Sequence, residues 1–165
     1  MLLEPPGLIP AHQLPHWPYV QAVDDALTAR GIPPGAVRAD RTRRELGETM
    51  YMVFSWDVSR TAGHAGVRLH WGEETGWSCA HTGANPRIRT PRRPVTALRR
   101  VFAQPDDVAT VAEQLVCHGG AATGDFSAEW EQASSMWGVV DAWRRRAAPR
   151  RAGEAERGMS SWAGD

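Results

Sequence analysis

Lysine is absent from this chain of 165 residues: all 19 basic residues are arginine, they face 19 acidic ones, and the formal net charge is zero. That balance does not imply a general affinity for polyanions. The arginine bias, with abundant Ala, Gly and Pro, points to a GC-rich, actinobacterial genome and says nothing about mechanism. Cysteine is scarce. Cys79 and Cys117 are too few for a disulfide framework, and reduced, buried thiols are the expectation. Long apolar runs are missing too. The first ten residues have no positive region ahead of the apolar ones and are broken by prolines, which excludes a secretory signal or a membrane span. A soluble, cytoplasmic protein is expected, with no membrane partner.

The signatures of common chemistry are also lacking. There is no Cys-x-x-Cys, no His-Glu-x-x-His, no Gly-x-Ser-x-Gly elbow, no P-loop and no dinucleotide fingerprint. What the chain has instead is tryptophan, eight residues against two Tyr and three Phe. Two of the tryptophans bracket the stretch from Gly66 to His81, where alternating runs flank Gly72-Glu-Glu-Thr-Gly76. This reads as a β-hairpin with a bulged or four-to-five-residue turn. Pairing Trp71 with Trp77 sets Leu69 opposite Cys79 and Val67 opposite His81.

Other elements follow from period and punctuation. A helix begins at Pro18, carries Val20, Val23, Ala26 and Leu27 on one stripe, and stops at Gly31 and Pro33. A short strand spans about 36–39, and the polar run 41–48 reads as a loop. Met50, Met52, Phe54, Trp56 and Val58 alternate with Tyr51, Val53, Ser55 and Asp57, which predicts a strand with its even side on the core. Residues 83–94 read as a basic, proline-broken loop. Pro105 opens a second helix with Asp106 and Asp107 in its first turn and Val108, Val111, Ala112, Leu115 and Val116 at helical spacing. A third helix is expected from Ser127 to about Arg146, bearing Trp130, Met136, Trp137, Val140 and Trp143.

The fold class is therefore α+β: an antiparallel sheet of three to four strands with helices packed on one face, plus a C-terminal Trp-rich helix. Residues 1–14 are expected as an extended tail and 15–119 as the domain. Residues 120–146 are the helix that packs on or extends it, and 147–165 a disordered tail.

The sequence Pro18-Tyr-Val-Gln-Ala-Val-Asp-Asp-Ala-Leu27, the hairpin Leu69-His-Trp-Gly-Glu-Glu-Thr-Gly-Trp77 and Pro105-Asp-Asp-Val-Ala-Thr-Val-Ala112 occur in that order. Together they resemble a small actinobacterial family of domains of unknown function with a Trp-x-x-x-x-Gly-Trp hairpin, over roughly residues 18–117. The resemblance implies a fold and carries over no catalytic residue.

Four functional readings compete. Geometry removes part of a metal site from His64, His70, Cys79, His81, Cys117 and His118, while Cys79 and His81, two apart on one face, could still chelate. His64 and His70 lie about 20 Å apart at strand rise, and Cys117 and His118 point apart on a helix. No metal and no cofactor is expected. A Cys79–His81 or Ser78–His70 dyad would make a small hydrolase or transferase, yet no motif supports one, so no catalytic residue is assigned. The arginine blocks (Arg87, Arg89, Arg92, Arg93, Arg99, Arg100 and Arg144 to Arg151) suit nucleic acid, although the segment between them is acidic and neighbouring blocks of opposite sign pair or steer a protein. The leading reading is a non-enzymatic binding or adaptor protein acting through protein–protein contact or self-association. Its binding residues would be Trp71, Trp77, Arg92, Arg93, Trp130, Trp137 and Trp143. A DNA-associated factor using the arginines is the alternative.

Overall fold

A computed structural model describes residues 2–3, 9–44, 47–63, 65–83 and 91–147 of the chain. Its centre is one sheet in the order β1 (Leu2–Leu3), β2 (Ala36–Arg44), β3 (Gly47–Trp56), β4 (Gly66–Gly72), β5 (Gly76–Thr82) and β6 (Arg93–Pro94). From β2 onward every neighbour is antiparallel, while β1 joins β2 in parallel. Three helices complete the fold: α1 (Trp17–Ala29), α2 (Pro105–Cys117) and α3 (Ala133–Ala147).

The hairpin register is the one the Trp pair predicts, with Trp71 opposite Trp77, Leu69 opposite Cys79 and Val67 opposite His81. Glu73, Glu74 and Thr75 form the turn, and Gly76 takes φ 67, the left-handed conformation that closes a three-residue loop with a bulge. On the same face β3 contributes Met50, Met52, Phe54 and Trp56, all buried. The stripe of α1 (Tyr19, Val20, Val23, Leu27) and that of α2 (Val108, Val111, Ala112, Leu115) cover this face and touch each other. Gly31, at φ 80, ends α1 as its position implies.

The strand count exceeds the expectation, and each extra piece has a physical reason. Residues 41–44 and 47–48 of the run expected as a loop are instead the distal parts of β2 and β3, and 45–46 lie outside the described residues. There both faces are polar, so no hydrophobic alternation marks it. The Arg41 guanidinium lies 2.6 Å from the Glu48 carboxylate, and the Thr42 and Thr49 hydroxyls share a hydrogen bond across the strands. Both edges carry only two-residue partners. The long β2 edge carries Arg38, Asp40 and Arg41, charges that oppose edge-to-edge association. Within the basic loop, Arg93 and Pro94 pair with Cys79 and Ser78, while 84–90 lies outside the described residues. The N-terminal segment is more than an extended tail: it contributes β1, a 3-10 turn at Ala11–Gln13 and the buried Leu14.

Two further boundaries move. β3 stops at Trp56, and Val58 stands exposed in a 3-10 turn. α3 begins at Ala133, not Ser127, because the preceding segment is held extended: Phe126 bridges Leu98, Glu129 bridges Ala103, and the Trp130 N–H donates to the Phe102 carbonyl. Of the expected disordered tail, 147–165, Ala147 is instead the last residue of α3, and 148–165 lies outside the described residues.

Tyr19 ties these parts together. Its ring meets Trp71 at 5.9 Å, Trp77 at 6.2 Å, Phe102 at 5.0 Å and Trp130 at 5.0 Å between centroids. Its hydroxyl donates to the Ala103 carbonyl at 2.7 Å. Burial raises the phenol far above its ordinary pKa, so the donor is permanent. Tyr19→Phe leaves the Ala103 carbonyl unpaired in an apolar setting and is expected to cost about 1–3 kcal/mol. Tyr19→Ala also opens a cavity and is expected to cost ~3–5 kcal/mol, a value typical of large aromatic truncations. Urea denaturation checks both. An unchanged midpoint for Tyr19→Phe contradicts the assignment.

Candidate functional site

The tryptophans expected to form a contact surface are largely spent inside the molecule. Trp71 and Trp77 point to the core face of β4 and β5 and are 1% and 3% exposed. Trp130 is buried on Tyr19, and Trp137 packs edge-on against Phe102 at 4.9 Å. Trp143 is half-buried under the Arg41 guanidinium, 5.2 Å from the ring centre. The Trp71 indole N–H donates to the Val101 carbonyl at 2.6 Å. That of Trp77 is buried close to the Tyr19 hydroxyl, short of hydrogen-bond geometry. The structure thus gathers Trp71, Trp77 and Trp130 around Tyr19, with Trp137 linked through Phe102, but as core. Arg92 and Arg93 are exposed and stand apart from them.

Several of the arginines are committed to carboxylates. Arg99 pairs with Asp125 at 2.8 Å and Arg30 with Glu113 at 2.9 Å. Arg144 reaches Asp141 and Glu73. Arg87, Arg89, Arg150 and Arg151 fall outside the described residues.

The last of these pairs belongs to a polar clasp that the sequence conceals. Glu73, in the hairpin turn, is 4% exposed. One carboxylate oxygen accepts the Met50 N–H at 3.0 Å, and the other takes the Arg144 guanidinium. The Arg144 Nε–H in turn donates to the Glu48 carbonyl. The clasp fixes the end of α3 over the distal β2–β3 hairpin. A buried carboxylate needs such saturation, because it is costly unless both oxygens are satisfied. The sequence shows two adjacent turn glutamates and no sign of which one turns inward.

The candidate nucleophiles are poorly placed for chemistry. Cys79 is half-buried, and burial pushes its thiol pKa up despite the Arg93 charge, which keeps it in the inert thiol form. Cys117 is exposed at the far end of α2. Among the described residues no group of three His, Cys, Asp or Glu side chains is arranged to hold a metal ion. Ser78 does lie directly across from His70. However, burial, with the charges of Arg92 and Arg68 acting in the same sense, lowers the His70 pKa to about 4. A base that weak is a poor match to general-base work near neutrality.

His70 belongs instead to the opposite face of the sheet. Register places Arg38, Val53, His70 and Ser78 in one row across β2 to β5, with Tyr51 and Arg68 in the rows on either side. Among the described residues no helix covers this face. The Arg38 guanidinium stands 5.9 Å over the Tyr51 ring and 3.5 Å from Asp40. Arg68 and Arg92 are exposed and pair with no carboxylate among the described residues. The result is a flat patch, positive on balance, with an aromatic ring and a neutral imidazole at its centre. Period-two reasoning on β3 and β4 identifies it as the wet face, and only the register reveals that Arg38 joins it.

Residues 19–114 match the Family of unknown function (DUF6292). The chain belongs to this family. Neither a curated protein nor a solved structure matches it. The matched span of the DUF6292 chain contains α1, β2 to β6, and α2 up to its last turn. Trp130, α3 and Arg144 lie beyond it, so the clasp joins a family residue, Glu73, to one outside the match.

No helix among the described residues is long and apolar enough to cross a membrane.

His16, preceding α1, supplies a pH test. It is fully buried and stacks on Trp71, with Nε2 lying 3.1 Å from the Tyr51 carbonyl. A carbonyl only accepts, so Nε2 carries the proton, and Nδ1 is left buried without a partner. Burial lowers its pKa from 6.5 to about 4, overriding the Tyr51 carbonyl and Asp40, which act upward. The unfolded chain therefore binds this proton first as pH falls. Stability is full above 6.5 and declines toward 4, by about 3 kcal/mol for this group alone. His70 adds to the loss in the same window. Denaturation midpoints between neutral pH and pH 4 should fall, and His16→Gln should remove part of that slope. A flat profile contradicts the buried neutral histidine.

Proposed function

We propose that this DUF6292 protein is a non-enzymatic binding module that docks a protein partner on the helix-free face of its sheet, in the cytoplasm of an actinobacterium. One observation carries the reading. Arg38, Tyr51, Val53, Arg68 and His70 share a face that has no helix on it among the described residues, whereas the tryptophans are consumed by the core. Tyrosine and arginine are the side chains that most often anchor protein interfaces, and a flat face with an apolar centre and a charged rim has the usual anatomy of one. Arg92 lies beside this face, close enough for its charge to act on His70, so it stays in the contact surface while Trp71, Trp77 and Trp130 leave it. Arg93 pairs with Cys79 at the β5 edge, in the row of Leu69 on the helix side of the sheet, so it stands outside this face.

A DNA-associated role draws support from one feature, the two unpaired guanidiniums of Arg68 and Arg92. Weighing against it are the zero net charge and the commitment of Arg99 and Arg144 to carboxylates. Co-purification of the tagged full chain from its host, with and without nuclease, separates the two. The proposal expects a stoichiometric protein that survives nuclease. Partners that vanish with nuclease, or no partner at all, contradict it.

A further inference from the structure

We infer that the helix-free face of β2–β5 receives an acidic, extended segment of a partner protein, an inference that rests on the binding-module reading above. The face places Arg38, Tyr51, Val53, Arg68 and His70 together, with Arg92 beside them. Among the described residues Asp40 is the one carboxylate that the register puts on this side of β2 to β5, and it is engaged by Arg38 and by the Arg41 N–H. Arg68 and Arg92 have no such counter-charge among the described residues, so a positive field stands over Val53 and His70. The imidazole registers that field, since both guanidiniums oppose its protonation.

Charge complementarity selects among the occupants. A second copy docking the same face by a two-fold axis would set Arg68 and Arg92 against their own kind, which like-charge repulsion disfavours. Among the described residues of this face nucleic acid would meet only two uncompensated guanidiniums and one partly exposed aromatic ring, few phosphate contacts for a chain of zero net charge. A peptide segment needs less. One or two carboxylates reach Arg68 and Arg92, and apolar atoms lie on Val53 and on the Tyr51 ring. The row from Arg38 to Ser78 crosses four strands, roughly 15 Å at ordinary strand spacing, which a segment of about five extended residues spans.

The test is a titration of the nitrogen-15-labelled full chain at low ionic strength with a short glutamate-rich peptide, followed by NMR. A lysine-rich peptide and a short oligothymidylate serve as the comparison probes. The expected result is amide shifts confined to Val53, Arg68, His70 and their neighbours with the glutamate peptide alone, and an upward move of the His70 imidazole pKa as carboxylates offset the two guanidiniums. Arg68→Glu and, independently, Arg92→Glu should each weaken peptide binding by about tenfold. Arg145→Glu, exposed in the last turn of α3, should leave it within about twofold. Tighter binding of oligothymidylate, shifts that map to α3, or full binding by both Arg→Glu variants would overturn the inference. The two proposals fail separately. A host protein that co-purifies equally with the wild type and with Arg68→Glu overturns this surface and leaves the binding module standing. Loss of that host protein with Arg68→Glu supports both.

Discussion

The Tyr19 side chain is the constraint on which the rest of this structure depends. It is buried at the middle of an aromatic cluster drawn from four separate segments: the β4–β5 hairpin, the approach to α2, the approach to α3, and α1 itself. Aromatic pairs at these separations add about 0.5–1.5 kcal/mol each beyond the area they bury. The hydroxyl's bond to Ala103 fixes the loop before α2, and that loop supplies the Phe102 ring on which Trp137 packs. Through this chain of contacts α3 becomes part of one core with the sheet. The Glu73–Arg144 clasp then closes its far end.

That core decides where function can reside. A Trp-rich helix on a small domain suggests an adhesive surface, but three of the five tryptophans first assigned to one are buried and the other two are half-buried. All three helices lie on the side of the sheet where the apolar alternation points. Charge follows the same division. Arg30, Arg99 and Arg144 near the helices meet carboxylates, whereas among the described residues Arg68 and Arg92, on and beside the open face, do not.

Much of the fold was legible in the residues. Pro18 and Gly31 bracket α1, Pro105 opens α2, and the Trp71–Trp77 spacing fixes a register that the structure reproduces pair by pair. What escaped were elements held by polar or tertiary contacts. The distal β2–β3 hairpin carries Thr42 and Thr49 on one face and Arg41 and Glu48 on the other, so no hydrophobic period betrays it. The start of α3 shifts to Ala133 because Phe126 and Glu129 are captured as bridges by distant residues, an effect no local propensity encodes. The site was less legible still. Trp71 and Trp77 on the core face of the hairpin follow from its alternation, yet choosing core over interface for Trp130 and Trp137 requires knowing that Tyr19 and Phe102 wait beneath them. The inward Glu73 and the lone pair of His16 leave no mark in the sequence.

Native-state hydrogen exchange of the full chain tests the central claim most directly, that the Trp-bearing helix belongs to the same cooperative core as the sheet. The account predicts that the amides of Val140 and Asp141 in α3 exchange only by global unfolding, with the same free energy as those of Phe54 and Leu69 in β3 and β4. An α3 that exchanges through a separate, lower-energy opening while the sheet stays protected would contradict it. In that event the tryptophans return to the surface as candidates for binding.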